Sequence, residues 1–184
     1  MEERNEKLRN GLRKLYYAEI IAIVSLLCTI LALIPVLGLL ILLGVLVAMI
    51  AGLVLSIMGL VKLGDLHSNY IVALVLSVIN GILSLFDEST IISLVSAILS
   101  LVVIWLLIKT TNGFLEEIGR SDVMEKGRGA LTCNIAVTVI SVLCTLVSMV
   151  AVGLAIILLV VALIVSLVGL VFYVSYLKQA SEAF

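Results

Sequence analysis

Charged residues are scarce in this chain, and basic residues are absent from three long stretches. Only 12% of the 184 residues are charged, whereas 64% are hydrophobic and the mean hydropathy is +1.39. No Lys or Arg occurs between Lys14 and Lys62, between Lys62 and Lys109, or between Arg128 and Lys178. Soluble globular domains contain about 25% charged residues, so this composition predicts an integral membrane protein and leaves no room for a soluble domain beside the spans.

Proline is nearly absent as well, and the position of the single one is informative. Each stretch without basic residues is about as long as two membrane crossings, since about 20 helical residues cover a hydrocarbon core of about 30 Å. A helix over residues 16–61 would be roughly 70 Å long. The chain must therefore turn back, and Pro35 followed by Gly38 predicts where. The acidic segment 87–90 predicts a second turn, and residues 150–153 a third.

The predicted fold class is an all-α integral membrane bundle of six transmembrane helices, arranged as three helical hairpins in one membrane domain. Its parts are a cytoplasmic interfacial segment at 1–15, hairpins at 16–64, 70–108 and 130–178, and a cytoplasmic linker at 109–129. Cytoplasmic N- and C-termini place all 11 basic residues inside, as the positive-inside rule requires. A rival interpretation makes hairpins 1 and 3 re-entrant and predicts the same charge pattern. Full spans are favoured because irregular backbone exposed to lipid is costly.

Similar segments recur along the chain. SLLCTIL at 25–31 matches SVLCTLV at 141–147, with a looser copy, SVINGIL, at 77–83. In the even-numbered spans, LVLSIMGLV at 53–61 matches LIVSLVGLV at 163–171. These matches predict a helical hairpin used three times, as parallel repeats related by an axis along the membrane normal.

Small residues form a stripe on the second predicted span. Gly44, Ala48, Gly52 and Ser56 follow one another at i, i+4 spacing and therefore lie on one helix face. In lipid, where the hydrophobic effect does not drive helices together, such faces allow close backbone approach. Helix packing is the favoured interpretation, and a lined conduit is the alternative.

Polar residues inside the spans are few. Asn80 lies near the bilayer centre, and the repeat places Cys28 and Cys144 at similar depths, so a ring of midplane polar positions is one hypothesis. The simpler interpretation is an interhelical hydrogen bond from Asn80 and two cysteines that fill space. Glu19 is an interfacial carboxylate about one turn inside its span, expected to reach water or a basic side chain rather than to relay protons.

Motifs for catalysis or for a cofactor are missing from the sequence. It contains no nucleophile paired with a base, no Gly-rich phosphate loop beside a strand and no Cys/His quartet, so we expect neither an enzyme nor a bound cofactor. Asp65 and His67 are too few for a metal site and predict a turn that starts a helix. A formal charge of -1 gives no reason to expect nucleic-acid binding.

Three short motifs carry a resemblance. KLYYAEI at 14–20, GLVK at 59–62 and HSNY at 67–70 resemble uncharacterised small multispan membrane proteins of Gram-positive gut-type bacteria. The resemblance covers about the first half of the chain and implies a bacterial cytoplasmic (inner) membrane without implying an activity. In architecture alone, three two-helix repeats are similar to the bacterial acid-resistance membrane proteins of the three-repeat type. The tryptophan and glycine positions of that family are not matched, so no role is carried over.

Two functional hypotheses follow from the sequence. The first is a non-enzymatic membrane scaffold or interaction protein that packs with itself, as a homo-oligomer, or with other membrane proteins. The second is a small channel, transporter or lipid-binding protein with a path between the hairpins, near Cys28, Asn80 and Cys144. Membrane lipids are partners in either case.

Overall fold

The computed structural model of the protein describes residues 2–31, 38–83, 90–148 and 151–184, and their regular structure is entirely α-helical. This confirms the all-α prediction for that part of the chain. Six helices follow one another in these ranges: α1 Glu2–Leu31, α2 Gly38–Gly64, α3 Ser68–Leu83, α4 Thr90–Glu117, α5 Ser121–Ser148 and α6 Val152–Ala183.

Among the described residues, four helical segments are long and apolar enough to cross a membrane, namely Ile41–Gly64, Ile91–Glu117, Ser121–Val147 and Gly153–Ala183. A fifth, Ser68–Leu83, is apolar but shorter. Large apolar side chains stand out from these helices, for example Leu43 at 64% exposure and Val171 at 67%. Apolar surface on this scale requires a hydrocarbon environment. The chain is thus a helical membrane protein.

Two turns between helices lie within the described residues. Asp65 and Leu66 separate α2 from α3, and the Asn69 amide donates to His67 Nδ1 at 3.1 Å, which caps the start of α3. The helix-starting role expected of the Asp65–His67 segment is therefore confirmed. Between α4 and α5, Gly119 adopts a φ of 72°, the left-handed conformation in which glycine ends a helix without strain.

The remaining predicted turns fall on or beside residues that are not described. Pro35 and residues 87–89 lie outside the described residues. The predicted turn at 150–153 coincides with a break after Ser148, but Gly153 already belongs to α6, which begins at Val152.

The two cytoplasmic segments expected at 1–15 and 109–129 are parts of long helices. Residues 2–15 begin α1, whereas residues 109–117 and 121–129 belong to α4 and α5, with a three-residue connection between them. Three leucines in the segment expected to be interfacial are buried, with Leu8 and Leu12 at 0% exposure and Leu15 at 5%. Leu15 lies against Gly59 of α2, and Leu63 of α2 lies against Gly11 on the same helix as these leucines.

Two compact units make up the chain. One comprises the described residues of 1–66 together with 177–184, and the other comprises those of 67–176. In the first unit α1 packs along α2, and in the second α4 packs against both α3 and α5.

Candidate functional site

The C-terminal half of the α2 stripe packs against α1 at Gly52. A Cβ atom on Gly52 would lie 3.4 Å from Ile21 Cγ2 and 3.6 Å from the Ala18 carbonyl oxygen. Two turns further along α2, a Cβ on Gly59 would lie 3.0 Å from the Gly11 carbonyl oxygen. Backbone therefore meets backbone here, as expected of small residues at a membrane helix contact.

The N-terminal half of the same stripe differs. A Cβ on Gly44 would meet no atom of the described residues within 4 Å, in contrast with Gly52 two turns along the same helix. Gly44 lies instead in an apolar groove of about 240 Å³ between α1 and α2, lined by Val24, Ser25, Cys28, Ile41, Gly44, Val45 and Ala48. The structure thus brings together predicted residues from two groups, Cys28 of the polar positions with Gly44 and Ala48 of the stripe.

A buried hydroxyl borders this groove. Ser25 is 4% exposed, and its Oγ atom has no hydrogen-bond partner among the described residues. The Ser25 carbonyl oxygen, in contrast, accepts a bond of 2.9 Å from Thr29 Oγ1. Groups that are buried without a partner are rare and require an explanation.

Asn80 forms a mid-span polar contact between α3 and α4. Its Nδ2 atom donates to Ser100 Oγ at 2.9 Å. Asn80 Oδ1 and the nearby hydroxyl of Ser96, one turn before Ser100, are buried without a hydrogen-bond partner in the described part of the chain. The contact therefore uses the donor of the amide and leaves its acceptor unused.

Cys144 and Glu19 lie in separate surroundings. Cys144 Sγ donates to the Ala155 carbonyl oxygen on α6 at 3.3 Å, so this thiol joins α5 to α6 rather than to Asn80. Glu19 is half-buried on α1, directly after Ala18, whose carbonyl oxygen faces Gly52. Ser56, the last residue of the stripe, is also half-buried.

A buried hydrogen-bond network joins α3, α4 and α6 in the second unit. Tyr70 Oη and Thr111 Oγ1 share a bond of 2.8 Å, and Asn69 Nδ2 donates to Thr110 Oγ1 at 3.1 Å. Tyr176 Oη donates to Asn112 Oδ1 at 2.9 Å. Tyr70, Thr111 and Tyr176 are all completely buried. From the sequence alone, tyrosines at the ends of apolar segments are expected to lie at the headgroup layer, which does not predict this network. The run TTN at 110–112, at the end of an apolar segment, was the available signal for it.

Glycine makes room for this network. A Cβ on Gly127 would lie 2.8 Å from Tyr176 Cε2 and 3.1 Å from Ile108 Cγ2, so α5 contacts the tyrosine ring through its bare backbone. Further along α5, Cys133 Cβ occupies the space next to Gly169 of α6, where a Cβ would lie 2.8 Å away. Close approach at glycine is thus a feature of both units.

Three basic side chains contact a neighbour one turn away on their own helix. Arg13 Nη2 donates to Tyr17 Oη at 3.2 Å, and Lys109 Nζ lies 4.6 Å from the centre of the Trp105 ring. Lys7 pairs with Glu3 at 3.1 Å, and this hydrogen bond and charge raise the pKa of the exposed ammonium group.

A metal site would need a cluster of suitable side chains. Within the described ranges, no three His, Cys, Asp or Glu side chains come close enough to hold a metal ion.

Comparisons with known proteins find no family model that matches the chain, and no curated protein or solved structure that matches it.

Proposed function

We propose that this protein is a non-enzymatic membrane scaffold or interaction protein, which binds another membrane helix on the N-terminal half of the α2 stripe, at Gly44 and Ala48. The observation that carries the proposal is the contrast between Gly52 and Gly44. The first contacts α1, whereas the second exposes bare helix backbone in an apolar groove. A small-residue position with room beside its backbone is suited to a second helix.

The physical basis is that hydrocarbon does not drive helices together by the hydrophobic effect. Association in lipid relies on packing contacts and hydrogen bonds, and both improve when backbones approach closely. Gly44 and Ala48 lie four residues apart, so one crossing helix contacts both. Exposed side chains beside them, Leu43 at 64% and Val47 at 62%, supply further contact area for the incoming helix.

We further propose that all six helices span a bacterial cytoplasmic membrane with both termini inside. Two side-chain pairs support this orientation. Arg13 precedes Tyr17 on a helix running into the membrane, and Lys109 follows Trp105 on a helix running out of it. In each pair the basic residue lies one turn on the cytoplasmic side of the aromatic ring, as headgroup anchoring favours.

A matched pair of substitutions tests the interaction role. Gly44→Leu fills open space, so we expect the variant to fold normally but to lose its oligomer or its co-purifying membrane protein in mild detergent. Gly52→Leu forces a side chain against Ile21, so we expect it to lower the melting temperature. Gly153→Leu is the control, because a Cβ there also meets nothing within 4 Å in the part of the chain that the structure describes. If Gly44→Leu and Gly153→Leu behave alike in the association assay, the proposal is wrong.

A second candidate function is a small channel or transporter. Asn80 Oδ1 and Ser96 Oγ favour it, as buried polar atoms at mid-span depth without a partner in the described ranges. Flux of small solutes into proteoliposomes tests this candidate. Loss of flux in Asn80→Leu with retained folding would support it, and equal flux in protein-free vesicles would rule it out.

A further inference from the structure

We propose that the α4–α5 pair binds an anionic phospholipid, with the lipid phosphate between Lys109 and Arg128 and the acyl chains on apolar side chains deeper in the membrane. Both basic residues are exposed, and they flank the contact between Ile108 and Gly127. The inference concerns other helices than the proposed contact at Gly44 and does not depend on it.

The geometry of a helical hairpin places the two basic residues on one side and at one depth. A connection of three residues joins α4 to α5, so the helices run antiparallel, and a Cβ on Gly127 would lie 3.1 Å from Ile108 Cγ2. In an antiparallel pair, the residues that directly follow two facing residues point to the same side, because each is turned by about 100° about an oppositely directed axis. Lys109 and Arg128 therefore differ in depth by only about 3 Å. Their helix axes are about 8–10 Å apart, a gap that a phosphate and two long side chains bridge.

Apolar side chains continue this side of the pair into the membrane. Trp105 lies one turn before Lys109, is 41% exposed, and has its ring centre 4.6 Å from Lys109 Nζ. Ile98 lies three turns before Lys109 and Ile135 two turns after Arg128, so both point to the same side. These isoleucines are 53% and 45% exposed. Two cations above exposed apolar residues match a molecule with an anionic head and hydrocarbon tails.

The other charges of this hairpin favour a lipid over a soluble anion. Its acidic residues all lie further from the apolar segments than the basic pair does, namely Glu116, Glu117, Asp122 and Glu125. They repel an anion that approaches from water, whereas a lipid reaches the basic pair from within the bilayer. Arg120 belongs to this outer group and pairs with Asp122 at 2.9 Å, so its charge is already compensated.

Trp105 is the sole tryptophan of the chain, so its fluorescence reports on lipid at this site. The experiment places the full chain in phosphatidylcholine bilayers that contain phosphatidylglycerol with brominated acyl chains, which quench tryptophan on contact. Brominated phosphatidylcholine replaces it in a parallel series, and the ratio of the two quenching constants gives the preference for anionic lipid. Each basic side chain near the surface contributes about 5-fold, so we expect a ratio of about 5 to 25 for the wild type.

Variants then test the basic pair. Lys109→Gln and Arg128→Gln should each lower the ratio about 5-fold. Arg120→Gln is the matched control and should leave the ratio unchanged, because Arg120 lies eight residues before Arg128. That spacing is about 12 Å along the helix, which exceeds the Debye length of about 8 Å at physiological ionic strength. Melting curves in phosphatidylcholine establish that each variant is folded.

Three results would overturn the inference. Equal quenching by the two lipids in the wild type would refute the site. Equal losses in Arg120→Gln and Arg128→Gln would show attraction by overall surface charge rather than by this pair. Inorganic phosphate that lowers the ratio more than sodium chloride of the same ionic strength would make the ligand a free anion. Gly44→Leu should leave the ratio unchanged, so failure here and failure of the proposed helix contact are distinguishable.

Discussion

Two glycines of α2 predict opposite responses to the same substitution. A Cβ on Gly59 would lie 3.0 Å from the Gly11 carbonyl oxygen, which is backbone, and 3.1 Å from Leu15 Cγ. A Cβ on Gly44 would have none of the described atoms within 4 Å. Gly44→Ala should therefore stabilise the protein, and Gly59→Ala should destabilise it.

The magnitude follows from two terms. Alanine is favoured over glycine in a helix by about 0.5–1 kcal/mol, and both positions gain this term. Overpacking costs about 1–3 kcal/mol and applies at Gly59, where the obstacle is the backbone of α1 rather than a side chain that turns away. The helix-propensity term cancels between the two variants. The difference in their free energies of unfolding should therefore equal the overpacking term, about 1–3 kcal/mol.

Reversible unfolding in mixed micelles, with SDS as the denaturant, measures this difference. The protein is diluted until it is monomeric, so that association through Gly44 does not contribute. Equal unfolding free energies for Gly44→Ala and Gly59→Ala would refute the close backbone contact at Gly59. A stabilised Gly59→Ala would refute it more strongly, since it would mean that α1 gives way at no cost.

The other predictions concern polar groups. Tyr176→Phe should lower the unfolding free energy by about 1 kcal/mol, because Asn112 Oδ1 loses its 2.9 Å donor, and an unchanged value in the same SDS titration would contradict the network. Asn80→Leu should lower the unfolding free energy by about 0.6–1.7 kcal/mol through loss of the hydrogen bond to Ser100 on α4. A higher unfolding free energy in this variant would show that the bond does not stabilise the protein. The pKa of Lys7 is raised by Glu3, so the contribution of this pair is present below the ordinary lysine pKa and is lost as pH rises through the higher folded value. Melting curves of wild type and Lys7→Gln should therefore differ slightly at pH 8, differ less at high salt, and converge once the pH exceeds the raised pKa of Lys7.

Properties that depend on neighbouring residues were predictable from the sequence. Helical class followed from the apolar runs, the start of α3 from the turn around His67, and the break between α4 and α5 from Gly119. Each of these reflects local chemistry, such as a cap or a positive φ, that a short segment carries by itself.

Properties that depend on which faces meet were not predictable. The sequence predicts one uniform face from Gly44 to Ser56. In the structure, Gly52 contacts α1, whereas a Cβ on Gly44 would meet no described residue within 4 Å. Tyr70 and Tyr176 are residues of the type that anchors helices at the headgroup layer, yet both are buried and hydrogen-bonded to α4. The rotation of each helix about its axis and its register against the next helix decide these outcomes. The spacing of residues in one segment gives no information on the rotation of the helix that packs against it.

The α1–α2 pair is narrow where Gly11 meets Gly59 and wide where Cys28 faces Gly44. In a bilayer that both helices cross, as proposed above, such a wedge would occupy more area in one leaflet than in the other. Any event that fills or closes the groove changes the area in the wide leaflet alone. We therefore expect its equilibrium to depend on the lateral pressure of that leaflet, and hence on lipid shape and membrane curvature as well as on the concentration of a partner.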